Sequence, residues 1–424
     1  MNALPPAQPS TRVSHPVALA ALLAGLSMFG PFTIDAFFPA FHAIAAELSA
    51  TPWQMQQTIS LYLIGYACMA LLHGPLSDAY GRRRVILIGV VAFTFASLGC
   101  AFSRNIETLL LFRFLQGVFS GAGMIVGRAL VRDLYQGPEA QRMMALISMF
   151  FGIAPAIAPV IGAVIFSIAN WNAVFMFLVG YGLLLWLLCL RLLPETHPLA
   201  ARSVFRPMPL MRTYLEILRD WRFGLLVVAT GGNFGGQFLY ISSAPSYVER
   251  FLGLGSFGYA WYFVPMIAGM ILGSFASSRL AARISAEACI QRGYAVMTVA
   301  MVLNIAYNLV DRTPSVPWAV LPNFVYAFGV ALAYPPMNVL MLDRYPQHRG
   351  AASSVQAFGG GMLMAFISGV AAGFVLESAL RLAVGCLLLF LMGWAAWWFY
   401  HRHTAITPDS DPTQGTDAQS DSPV

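Results

Sequence analysis

The sequence predicts an all-α integral membrane protein, with twelve transmembrane helices in two pseudo-symmetric bundles of six. Three observations carry that prediction. Hydrophobic residues are 58% of the 424, charged residues only 10%, and the mean hydropathy is +0.69, whereas globular domains carry roughly a quarter charged residues. Apolar runs of about 20 residues, the length that crosses a bilayer as a helix, recur along the whole chain. The loops between them alternate between arginine-rich and arginine-poor, as the positive-inside rule requires of a multi-span protein.

The runs lie near 17–40, 54–73, 85–103, 108–130, 144–167 and 171–193, then 223–243, 257–278, 291–310, 317–340, 352–375 and 382–401. This divides the chain into a first six-helix bundle (17–193), a central loop (194–222) and a second bundle (223–401). The central loop is the longest polar stretch and carries Arg202, Arg206, Arg212, Arg219 and Arg222. A short leader (1–16) with Pro5, Pro6, Pro9 and Pro16, and an acidic Pro/Ser/Thr-rich tail (402–424), read as disordered. The run from Val17 is too long for a signal peptide, is broken by Pro31, Asp35 and Pro39, and follows a leader with Arg12 alone.

All 24 basic residues are arginine. A formal charge of +6 is compatible with nucleic acid as a partner, but these arginines stand in short blocks between apolar runs, where they orient helices. Eighteen fall on one set of loops and helix ends, four (Arg104, Arg250, Arg312 and Arg381) on the other, and two (Arg113 and Arg128) within the fourth predicted helix. That bias places both termini and the central loop in the cytoplasm. The five cysteines (Cys68, Cys100, Cys189, Cys289 and Cys386) show neither CxxC nor metal-ligand spacing and read as small core residues. Absence of lysine excludes a Walker-type phosphate loop in this chain, so nucleotide-driven transport is not expected. A partial internal repeat supports the division: Gly74-Pro-Leu-Ser-Asp78 after the second helix is matched by Gly273-Ser-Phe-Ala-Ser277 after the eighth, followed by Arg279 and Arg283. Parallel halves of this kind are a known transporter design with the substrate between them near the midplane.

Four segments carry the chemistry. Asp35 lies inside the first run between Phe32, Ile34, Phe37, Phe38 and Pro39, where a carboxylate costs roughly 2.5–3.5 kcal/mol on insertion scales. It must face a cavity or a partner, and a carboxyl group there is able to load and release a proton as access alternates; the competing reading is a fixed structural ion pair. Arg113 stands in the first half of the fourth helix, followed by Gln116, Gly117, Gly121 and Gly123. A permanent cation there would tune a neighbouring acid, and the competing reading is an interfacial anchor; the small residues permit close helix packing. The segment Gly74-Pro75-Leu76-Ser77-Asp78-Ala79-Tyr80-Gly81-Arg82-Arg83-Arg84 reads as a compact loop in which Asp78 caps a neighbouring helix N-terminus and the arginines pair with acids, a breakable latch. In the fifth helix Gly152, Pro155, Pro159 and Gly162 repeat at turn spacing, which implies kinking and close packing.

The loop, the Arg113 segment and the fifth-helix segment, taken together in their chain order, resemble the twelve-helix drug:proton antiporters of the major facilitator superfamily. The loop resembles the motif that marks the superfamily broadly, the Arg113 segment the fourth-helix motif, and the Gly152–Gly162 segment the antiporter motif. Ile34-Asp35-Ala-Phe-Phe-Pro39-Ala40, Arg128-Ala-Leu-Val-Arg132-Asp133-Leu134-Tyr135 and Tyr334-Pro335-Pro336-Met-Asn338 with Arg349-Gly350-Ala-Ala-Ser353-Ser354 narrow the likeness to the bicyclomycin and chloramphenicol resistance subfamily. The resemblance runs over nearly the whole chain. It implies the major facilitator fold, proton coupling through Asp35 and Arg113, a cytoplasmic gate at Asp78 and Arg82, and export of amphipathic drugs. Ala36-Phe37 after Asp35, where relatives often carry Met-Tyr, and Ala154-Pro155 and Ala158-Pro159 instead of Gly-Pro are departures.

Tyr62 and Tyr66 on helix two, Asn233, Gln237 and Tyr240 on helix seven, and Tyr334 and Asn338 on helix ten are the candidate cavity wall, since pockets combine aromatic surface with a few polar handles. The same residues suit interfacial belts. The expected partners are a small molecule and the bilayer, with no nucleic acid and a monomeric chain; protons are the coupling ion and no cofactor is expected. The expected location is a bacterial-type cytoplasmic (inner) membrane. Export of a physiological metabolite such as a siderophore, amino acid or sugar is the main alternative. A membrane-embedded enzyme using a carboxylate near His42 or His73 lacks any supporting catalytic spacing.

Overall fold

The structure is a computed structural model that describes residues 16–310 and 313–405; most of the expected leader and tail lies outside the described residues. Seventeen helices are present among them: α1 (Pro16–Ser27), α2 (Phe29–Asp35), α3 (Phe41–Glu47), α4 (Pro52–Ala70), α5 (His73–Tyr80), α6 (Arg82–Ala101), α7 (Ile106–Leu134), α8 (Gly137–Ile168) and α9 (Trp171–Leu192), then α10 (Pro207–Arg219), α11 (Trp221–Ser242), α12 (Tyr259–Leu280), α13 (Ala286–Val310), α14 (Leu321–Asp343), α15 (Arg349–Phe366), α16 (Ala372–Val375) and α17 (Ala379–Ala405). In hydrocarbon a backbone must satisfy its own N–H and C=O groups, so apolar runs become helices. Polar residues close their ends: Thr51 and Gln54 form a reciprocal capping box on α4, and Asn105 and Asn170 cap α7 and α9.

Ten helical stretches among the described residues are long and apolar enough to cross a membrane, eleven if α4 and α5 count as one bent span. The remaining predicted span, α11, has crossing length, but Thr230, Asn233, Gln237 and its glycines lower its apolarity.

The first run is one span in three helical pieces, α1 to α3, with a 3-10 turn at Phe38–Ala40. Pro31 sits in the first turn of α2, where its missing N–H is harmless, while Pro39 falls in the break. The segment read as a loop after helix two is instead the helix α5, bent by 46° from α4. Pro75 is in its first turn and so does not oppose it; the turn comes at Gly81, whose φ of +97° favours glycine. In the second half α12 runs straight through the corresponding place, and Gly273 lies inside it, its absent Cβ 2.3 Å from the Phe328 carbonyl oxygen of α14. The central loop is also partly helical: α10 buries Tyr214 and Ile217 and exposes its arginine-bearing face. The first residues of the expected tail, to Ala405, continue α17.

The halves repeat each other. In the first, α7 packs on α4 and α6, and α6 on α9; in the second, α14 packs on α12 and α13, and α13 on α17. Helix α10 ties them together at the arginine-rich end, the Tyr214 hydroxyl donating to the Leu71 carbonyl at 2.6 Å. Asp220, just beyond α10, accepts from Arg344 and Tyr345, each at 3.1 Å. Burial and the adjacent Asp220 carboxylate push the Tyr345 phenol up to about 12, so it remains a donor.

Direct bonds between the halves gather toward the arginine-poor end. Gln57 donates to the Gly369 carbonyl at 2.8 Å, Ser60 to the Ala365 carbonyl at 2.8 Å, and Gln56 to the Ser242 carbonyl at 3.2 Å. The π-helical turn Ile367–Ala371 lies in this seam.

Candidate functional site

Asp35 is the last residue of α2, at the break in the first span, and is 3% exposed. Helix α8 seals the break. The absent Cβ of Gly162 would stand 1.8 Å from the Ala36 carbonyl oxygen, so only glycine allows this backbone contact. Asp35 and the antiporter-like segment are thus one construction. Pro155 and Pro159 lie inside α8, which continues as one helix, and Gly152 faces open space.

Arg113 on α7 is fully buried. Its Nη1 donates to the Thr33 carbonyl and to Gln116 Oε1, both at 2.9 Å, and its Nε to the Thr58 carbonyl at 3.0 Å. The guanidinium lies between two rings, 4.6 Å from the Phe37 centroid and 4.9 Å from that of Tyr62, a stacking suited to its planar charge. Gln116 in turn donates to Ser97 at 2.8 Å. Gly117 lets α4 approach, its absent Cβ 1.9 Å from the Tyr62 carbonyl oxygen. No ion pair joins Asp35 to Arg113 among the described residues: Asp35 Oδ1 and Arg113 Nη2 are both buried without a hydrogen-bond partner. Tyr62, whose ring stacks on Arg113, donates its hydroxyl to Ser120 at 2.8 Å.

At the arginine-rich end Arg82 is the hub. Its Nη1 reaches Asp78 Oδ1 and Ser77 Oγ, each at 2.5 Å, and its Nε reaches Asp133 at 3.1 Å. Its backbone N–H donates to Glu195 at 3.0 Å, and Thr196 donates to Asp133 at 2.9 Å. Arg83 donates to the Leu190 carbonyl at 2.8 Å. The expectation that the Asp78 carboxylate caps a neighbouring helix is corrected: it pairs with Arg82 one turn along, and Ser203 donates to its backbone carbonyl instead. Gly74 lies in open space and Leu76 follows it within α5. Asp133 and Glu195 complete the cluster without having been assigned a role; the Arg132-Asp133 pair ending α7 was the available sign.

The candidate wall residues divide three ways. Tyr62 belongs to the Arg113 site. Asn233, Gln237 and Tyr240 bond Tyr294, Asn323 and Asn304 within the second half. Tyr66 on α4 and Tyr334 on α14 both interact electrostatically with Arg128 on α7, so the three lie near one another across the two halves. Tyr334 is 42% exposed and Asn338, one turn on, is half-buried with Oδ1 unpartnered. Arg128 is exposed and makes no hydrogen bond or ion pair among the described residues. A separate groove of about 330 Å³ between α13 and α17, lined by Trp394, Trp397, Trp398 and His401, also includes Tyr294, the partner of Asn233. No group of three or more His, Cys, Asp or Glu stands ready to hold a metal among the described residues.

Two repeated helical halves built from apolar spans, with a buried carboxyl group left unpartnered inside one of them, have the architecture of a polytopic membrane transporter. The chain belongs to the Major Facilitator Superfamily, whose family model matches residues 17–369. It is 31% identical over 341 residues to an uncharacterized MFS-type transporter, YdgK, of Bacillus subtilis, covering 80% of this chain and 84% of that one. It is 29% identical over 337 residues to a bicyclomycin resistance protein homolog of Haemophilus influenzae (78% and 82%), and 28% identical over 366 residues to the multidrug transporter MdfA of Yersinia pestis (85% and 88%). Among solved structures, a D-xylose-proton symporter shares the fold with a TM-score of 0.70 at 17% identity, over 91% of this chain and 96% of the other.

Proposed function

We propose that the chain is a proton-coupled exporter of small amphipathic compounds, antibiotics included, working by alternating access as a drug:proton antiporter. The observation that carries this reading is Asp35, a carboxyl group buried at a helix break with one oxygen unpartnered. Asp35 takes the proton. Arg113, on the neighbouring helix α7, opposes that proton electrostatically. Gly162 and the α8 backbone cover the site, so a rocking of the halves changes which side Asp35 meets. Asp78, Gly81, Arg82 and Arg83 hold the arginine-rich end of the first half as one unit and serve as its gate. Tyr66, Tyr334 and Asn338 line the substrate path.

The arginine-rich end faces the cytoplasm of a bacterial-type inner membrane, as the loop bias requires. Each half folds as one bundle and a single chain completes the path, so the protein acts as a monomer, binds no nucleic acid and uses protons without a cofactor. A second reading, export of an anionic metabolite by the same mechanism, is favoured by Arg128, exposed and without an ionic partner among the described residues.

The test is proton release on adding candidate drugs to detergent-solubilised protein, compared with Asp35→Asn between about pH 6 and about pH 9. Drug-induced release in the native chain and none in the variant is expected. Release that survives the substitution would move coupling away from Asp35. Silence with every neutral or cationic drug, together with a response to anionic compounds that Arg128→Gln removes, would favour the second reading.

A further inference from the structure

One cluster of titratable groups plays no part in the site above and joins the halves at the arginine-poor end. His42 Nδ1, on α3, lies 2.8 Å from Glu249 Oε2, in the π-helical turn Ser246–Phe251. The Tyr259 hydroxyl, at the start of α12, is 3.0 Å from Glu249 Oε1 and 3.1 Å from the Phe38 carbonyl oxygen. Phe38 and His42 belong to the first half, Glu249 and Tyr259 to the second. The His42 and Glu249 side chains are 55% and 27% exposed, so water on that side reaches the pair.

Other charges are turned away. Glu47, on the same helix as His42, accepts from the Trp171 indole at 2.7 Å, and Arg250 donates to the Leu376 carbonyl at 3.5 Å. Glu249 is the charged group acting on His42 among the described residues, and Tyr259 is tied to that same carboxylate.

We propose that His42 and Glu249 form a second proton-binding site, loaded from the arginine-poor side, whose occupancy closes that side by drawing the two halves together. Histidine is the side chain whose charge changes in the physiological range. When His42 carries a proton, an ion pair spans the seam; without it, a weaker neutral hydrogen bond remains. Acidification of that side therefore closes the seam. The inference rests on the proton-antiport reading and deepens it: a proton arriving from outside would close the outer side at His42, favouring return of the cavity to the cytoplasm, while Asp35 handles exchange with drug.

The experiment follows seam opening without drug or transport. Spin labels replace Trp53 and Phe257, which are 61% and 59% exposed on opposite halves near this end, in a full-length, cysteine-free chain held in lipid nanodiscs. Between about pH 5.5 and about pH 8.5 the long-distance population should rise by up to about fivefold, the factor that a partly exposed ion pair contributes. His42→Gln should hold the population high and nearly independent of pH, and Glu249→Gln should do the same. His42→Lys, which keeps the charge, should hold it low throughout, an outcome that mere loss of packing cannot produce. A pH response retained in His42→Gln, or none in the native chain, would overturn the proposal. Loss of drug-induced proton release alongside an intact label response would instead sink the antiport reading alone.

Discussion

A guanidinium with no exposed surface is tolerated at Arg113 because three neutral oxygens and two rings replace its hydration. Two of those oxygens are main-chain carbonyls of Thr33 and Thr58, so the cation reads the backbone of the first span and of α4 together. Lysine would lose the planar fork and the stacking while keeping the charge. Arg113→Lys is therefore expected to leave the fold intact by thermal unfolding yet to cut drug-dependent proton release by about tenfold or more, as loss of about 1.4 kcal/mol of coupling implies. Release at native levels would show that charge alone is enough. Asp35 and Arg113 were legible in the sequence, because an ionisable residue in an apolar run has few bland explanations. Their partners were not, since a backbone carbonyl has no residue signature. Neither was the absence of an ion pair between the two among the described residues. Polar residues on α11 told less, because Asn233, Gln237 and Tyr240 share a face that turns into the second half toward Tyr294, Asn323 and Asn304, and a single helix pattern does not say which neighbour a polar face will meet.

Among the elements, α8 and the broken first span depend on each other through one atom's absence. Gly162 and Gly152 look equivalent in the sequence, yet only Gly162 meets a backbone, with its missing Cβ 1.8 Å from the Ala36 oxygen, whereas nothing lies within 4 Å at Gly152. Gly162→Val should push α8 off the break, lower the melting temperature in detergent by several degrees and abolish transport. Gly152→Ala should do neither, and should raise helix stability by up to about 1 kcal/mol if it acts through propensity alone. Equal tolerance of both substitutions would refute the packing argument. The segment after helix two shows how local pattern can mislead about an element. Gly74 and Pro75 suggest a loop, but a proline in a first helical turn costs nothing there, and the chain makes α5 and reserves its sharp turn for Gly81. The arginines and Asp78 were legible as an ionic device. Asp133 and Glu195 were not, since only the fold brings the end of α7 and the chain after α9 to Arg82.

For the molecule as a whole, the length of the apolar runs located the ten or eleven stretches of spanning composition among the described residues, and also the helix α11, whose polar content leaves it short of that composition. The relation between the halves was beyond such a reading. It rests on Gln57 and Ser60 donating to carbonyls about three hundred residues away, in and beside a π-helical turn, and neither spacing nor charge announces those bonds. They hold one end together, so rocking of the halves must break this seam. Gly369 is its narrowest point: an added Cβ would fall 2.5 Å from Ser60 Oγ and 2.9 Å from Ser60 Cβ. Unlike the His42–Glu249 pair, this contact contains no titratable group, so a wedge there should act the same at every pH. Gly369→Val is expected to raise the long-distance population between labels at Trp53 and Phe257 severalfold at both ends of the pH range, and to slow export because the outer side no longer closes fully. Distances unchanged from the native chain would mean that the polar seam follows the position of the halves without setting it.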